Sequence, residues 1–129
     1  MISAQDPSSG WLSYSKFSAS PNSTITQMNA TWVVPGSPSL SGDPFSIWFG
    51  LQTATGDGAL VQPVLAWEQT GSGYSIFQEV FDWTTKQDTR SKHHIQLEAG
   101  DTISASVTYR QSDNSYDMWM TSERTQRVV

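Results

Sequence analysis

Three side chains between Phe45 and Trp83 have types and settings that suit chemistry: Trp48, Gln62 and Glu79. Each stands in a short apolar run, where a polar group costs free energy unless it is paired. A carboxyl walled by aromatic rings has its charged form disfavoured and becomes a candidate general acid or base. A side-chain amide stays neutral at every working pH. Its carbonyl can orient a water, and its N–H₂ can stabilise an oxyanion. Carboxyl plus amide is therefore a hydrolytic device for acid medium, where His and Lys are protonated and useless as bases. Each residue also has a plain structural reading. Trp48 would be ordinary core, and Glu79 an outward, solvated carboxylate. Gln62 would satisfy backbone groups at an irregularity made by Pro63, which has no N–H to give to a ladder.

These residues can meet only on neighbouring strands. The hydrophobic period is two almost throughout, and turn clusters recur at short spacing: SASPNS, PGSPSLSGDP, TATGDG, QTGSG, EAGD and RQSDNS. Strands are predicted over 11–17, 24–34, 45–51, 59–67, 74–83, 93–97, 102–110 and 116–121. The polar segment 84–92 reads as a loop or one helical turn. Alternation assigns the faces. Ile103, Ala105, Val107 and Tyr109 point one way, and Met28, Ala30, Trp32 and Val34 share a face. Phe45, Ile47, Phe49 and Leu51 lie opposite Trp48 and Gln52. Gln62 goes with Leu60, Val64 and Ala66, and Glu79 with Phe77, Phe81 and Trp83. If these strands are neighbours, Gln62 and Glu79 form the floor of a groove walled by aromatic rings. Regular short strands of this kind predict an all-β, antiparallel sandwich.

The chain has 129 residues, enough for one domain with a sizeable core, and residues 1–9 read as a flexible leader. Aromatics make up 12% of it, six of them Trp, which offsets a modest 36% of hydrophobic residues. The net charge is −5, and the seven Lys and Arg are scattered, so nucleic acid is not an expected partner. No run is long and apolar enough for a membrane span. There is no cysteine, which excludes disulfides and thiolate chemistry. His93 and His94 are adjacent, so in a strand they point to opposite faces and make a poor metal site. Neither a metal nor a cofactor is expected. The start MISAQDPSSG has neither the basic start nor the apolar core of a signal peptide.

Several segments, in order, resemble the glutamic peptidases (eqolisins), acid-acting endopeptidases with a concanavalin A-like, jelly-roll type sandwich. Gly10-Trp11 is similar to that family's early N-W-[AGS]-G segment, MNATWVVP to its T-W-x-V-P strand, and SIWFGLQ to A-W-V-G-I-D-G. ALVQPVLAW is similar to the I-L-Q-T-G segment that carries the catalytic glutamine, FQEVFDW to W-Y-E-W-Y-P, and EAGDTISASVTYR to a G-D-x-I strand. The resemblance implies that Gln62 is catalytic and that Trp48, Glu79 and Phe81 line the substrate cleft, with Gln52 where the family usually has Asp. It implies a polypeptide substrate and a secreted protein. Pro63 and Val64 replace the Thr-Gly after the glutamine, and Phe81 lacks a tyrosine hydroxyl. The family's catalytic glutamate lies on a later strand, and the terminal ERTQRVV has no counterpart for it. The expectation is a partial sandwich whose catalytic Glu is missing from this chain, inactive alone or paired through its open edges. The rival expectation is a binding module that stacks sugars on Trp48, Phe81 and Trp83.

Overall fold

The computed structural model describes residues 13–38, 44–53, 55–68 and 73–129. Among these residues there is no helix, and nine strands form two antiparallel sheets. The smaller sheet has the order β1 (Gln27–Val33), β8 (Thr102–Arg110), β9 (Ser115–Ser122). The larger has the order β2 (Phe45–Trp48), β4 (Ala59–Glu68), β5 (Gly73–Asp82), β6 (Gln87–Arg90). Two short strands complete it: β3 (Leu51–Gln52) pairs with β4, and β7 (Ile95–Leu97) pairs with β5.

The two sheets bury one face of each against the other. Leu65, Tyr74, Ile76, Ile95 and Leu97 of the larger sheet meet Ile103, Ala105 and Met120 of the smaller one, with Val34 at the end of β1. Of the side chains that alternation assigned to one face of β8, Ile103, Ala105 and Val107 are buried, Ile103 and Val107 completely, and Tyr109 is half-buried. Burying one such side chain is worth about 1.5–3 kcal/mol, and these rows hold the layers together. Sequence and structure agree on an all-β sandwich.

A turn at Glu98–Asp101 ties the sheet ends together. Gly100 takes φ of 91°, which suits a residue without a side chain. The Asp101 carboxylate accepts from the Glu98 backbone N–H at 2.8 Å and from Arg124 Nε at 2.7 Å. The Val34 N–H donates to the Asp101 carbonyl at 2.8 Å. The Arg124 hydrogen bond holds the Asp101 carboxyl below its ordinary range, with help from the Glu98 amide and against the cost of burial.

Three expectations need correction or limits. Residues 13–17 are not in a strand, while Trp11, with Gly10 and residues 1–9, lies outside the described residues. The run 45–51 is not one strand. Pairing with β4 stops after Trp48↔Val64 and resumes at Leu51↔Val61 in the same register, so the break faces Pro63 and Gln62. Pro63 cannot donate to the ladder there. Finally, part of 84–92 is strand β6. Asp82 starts the hairpin, its carboxylate accepting from the N–H groups of Thr84 and Thr85 at 2.7 and 3.2 Å. Lys86, at φ of 59°, closes the turn by donating to the Asp82 carbonyl at 2.8 Å.

Candidate functional site

The side chains singled out for chemistry lie together on the face of the larger sheet turned away from the core. They form three rows across it, set by the register. In the middle row Gln62 faces Glu79, and Glu79 faces Arg90, across β4, β5 and β6. On one side Trp48 faces Val64, which faces Phe77. On the other Gln52 faces Leu60, Leu60 faces Phe81, and Phe81 faces Asp88.

The middle row is polar and tightly bonded. Gln62 is 5% exposed, and its Nε2 donates to Glu79 Oε1. Arg90 Nε donates to Glu79 Oε2 at 2.7 Å and lies 3.0 Å from Asp88. Gln62 Oε1 is buried with no hydrogen-bond partner. A buried acceptor left open costs about 1–3 kcal/mol, so its retention calls for a reason. An amide oxygen with free lone pairs can accept from a water or from a substrate N–H.

The flanking rows are apolar at their centres, with Gln52 and Asp88 at the two ends of one of them. Val64, Ala66 and Phe77 form a buried cluster, and Trp48 packs against it. His94 stacks on Phe77 at 4.7 Å between centroids, and the Arg90 guanidinium lies 4.9 Å from the same ring. At the far end, Phe81 meets Trp83 edge-on at 4.8 Å, and Lys86 sits 5.0 Å over the indole. The indole N–H of Trp83 donates to Gln52 Oε1 at 3.0 Å, leaving the Gln52 amino group to point elsewhere.

Gly50 shapes the floor from the other side. A Cβ there would fall 2.5 Å from the Val61 carbonyl oxygen and 3.1 Å from Gln62 Cβ. Only glycine lets the link between β2 and β3 run this close to Gln62.

All five sequence-predicted residues, Trp48, Gln52, Gln62, Glu79 and Phe81, therefore share one face. Glu79 is neither a solvated outward group nor a carboxyl among rings alone, because both of its oxygens are bonded. Arg90, Asp88 and His94 were not foreseen as parts of this face. The signal for the first two was the D-x-R alternation in QDTR, which puts both on one side of a strand. Among the described residues, no group of three or more His, Asp or Glu could hold a metal ion.

The fold and this face define an all-β sandwich with an amide, a carboxylate and a guanidinium in one cross-strand row. The model of the peptidase A4 family matches residues 13–129, and the chain belongs to that family, the glutamic peptidases that its motifs resemble. No curated protein and no solved structure matches it.

Proposed function

We propose that this chain is an acid-acting, secreted endopeptidase-type hydrolase in which Gln62 binds the attacking water and the developing oxyanion. The observation that carries this is the Gln62 amide itself: buried on a sheet face between aromatic rows, with an oxygen that has no partner. Membership of the peptidase A4 family implies polypeptide substrates. An extended peptide laid along the face would meet Trp48 on one side of Gln62 and Gln52 and Phe81 on the other.

Glu79 is a poor choice for the base. Its oxygens already accept from Gln62 and Arg90, so a water proton would have to displace one of them. A base would have to be a carboxylate outside this row. Glycan binding on the same rings finds less support. Of Trp48, Phe81 and Trp83, the last is covered by Lys86 and so does not offer the bare platform that sugar stacking needs. We also propose that the chain pairs with a second copy through the edge of β1 that no other described strand covers.

The test is cleavage of an acid-denatured protein, with the products read by mass spectrometry. Internal cleavage is expected. An uncut substrate would remove the enzymatic reading for this chain.

A further inference from the structure

We propose that Arg90 is a positioning residue that sets, through Glu79, which way round the Gln62 amide sits. The inference rests on the reading of Gln62 as the water-binding amide. It concerns a residue outside the family motifs and on a strand that the hydrophobic pattern does not reveal.

A glutamine amide can turn over about its last torsion and exchange its oxygen and nitrogen. The two positions differ in chemistry but hardly in shape, so only the hydrogen-bond partner chooses between them. Here the partner is a carboxylate. When ionised it accepts and cannot donate, so it must face the Gln62 N–H₂. That choice sends Oε1 to the opposite side, where it has no protein donor. The amide oxygen is left for a water only while Glu79 stays an acceptor in a fixed plane.

A carboxylate held at one oxygen alone can still rotate. Arg90 removes that freedom by donating to Oε2 at 2.7 Å, so Oε1 is left to Gln62. A charge-assisted N–H···O bond of this length is among the stronger side-chain hydrogen bonds. Arg90 is itself restrained on two sides, by Asp88 at 3.0 Å and by the Phe77 ring at 4.9 Å. The register makes the arrangement a straight cross-strand row, Gln62, Glu79, Arg90, in which each side chain stands beside the next. Lysine, with a point-like ammonium, would keep the charge and one donor at this place but not the planar fork.

The proposal is tested on the full chain by the nitrogen-15 NMR signals of the Gln62 side-chain amide, assigned by their loss in Gln62→Ala. In the parent protein one amide proton is bonded to a carboxylate, so the two signals are expected to be well separated and slow to exchange. Arg90→Met keeps an apolar stem on Phe77 but loses the donor. It is expected to speed exchange between the two amide protons and to lower kcat by about tenfold or more. KM should stay within about twofold, because substrate contacts are kept. Arg90→Lys is expected to restore part of both. Arg90 is half exposed, so a urea titration should show the Met variant folded. Unchanged amide signals in folded Arg90→Met would overturn the proposal. So would a response to Arg90→Met that persists in a Glu79→Gln background, since the effect would then bypass Glu79. If the signals respond as expected while Gln62→Ala cleaves at the parental rate, the positioning stands and the catalytic reading of Gln62 falls.

Discussion

Gln62 was legible because it breaks an apolar run, and the free energy of an unpaired buried amide makes such a break worth explaining. Its partner Glu79 was legible for the same reason. Arg90 was not, since an arginine among polar residues carries no such signal. Asp101 is a residue of a different kind, with a structural task. Its carboxyl is held below the ordinary carboxylate range, first by the Arg124 hydrogen bond. A group lowered in the folded state contributes stability that is present above its unfolded value. That stability is lost as pH falls through the lowered folded value. This contribution should therefore hold down to about pH 4, the ordinary aspartate range, and fade below it. Asp101→Asn is expected to cost about 1–3 kcal/mol near neutral pH, read as a lower urea midpoint. The gap between variant and parent should narrow as pH falls. A constant gap would show that the carboxylate charge is not what matters.

At the scale of elements, the strands with clean alternation were all readable, and Thr102–Arg110 falls where the pattern put it. The exception is β6. All four residues, Gln87 to Arg90, are exposed, so no apolar period marks them. The turn before it also lacks the usual sign, because Lys86 and not Gly or Asn takes the positive φ. The comparable turn before β9 has Asn114 at φ of 52° and was recognised. The split between β2 and β3 has its cause in a neighbouring strand, at Pro63, which a reading of 45–51 by itself does not weigh. Gly50, at that split, gives a sharp prediction. Gly50→Ala places a Cβ against the backbone oxygen of Val61, which cannot swing away. A loss of about 1–3 kcal/mol is expected in urea unfolding. Gly36→Ala, where the added carbon meets nothing within 4 Å, should stay within about 0.5 kcal/mol. Equal effects at the two sites would contradict the close approach beside Gln62.

For the molecule as a whole, two layers suffice to bury the core, but among the described residues one side stays open. Among the described residues, β1 pairs only with β8, and its sequence QMNATWV carries no charge. Ile47 shares the inner face of its sheet with Leu65 yet is 41% exposed. It lines a hollow of about 180 Å³ with Ala30, Trp32, Trp48 and Phe49, between the two edge strands. An uncharged edge beside exposed apolar side chains is a template for pairing. Light scattering is expected to give a mass above 14.3 kDa that rises with concentration. A strict monomer would refute the pairing through β1. The central claim concerns the opposite face of the larger sheet, and it rests on one side chain. The most direct test compares initial rates of cleavage of an acid-denatured protein by the full chain and by Gln62→Ala. Cleavage by the parent is expected, and a loss of about a hundredfold or more in a variant that unfolds in urea like the parent. Equal rates from the two proteins, or no cleavage by the parent, would contradict the claim.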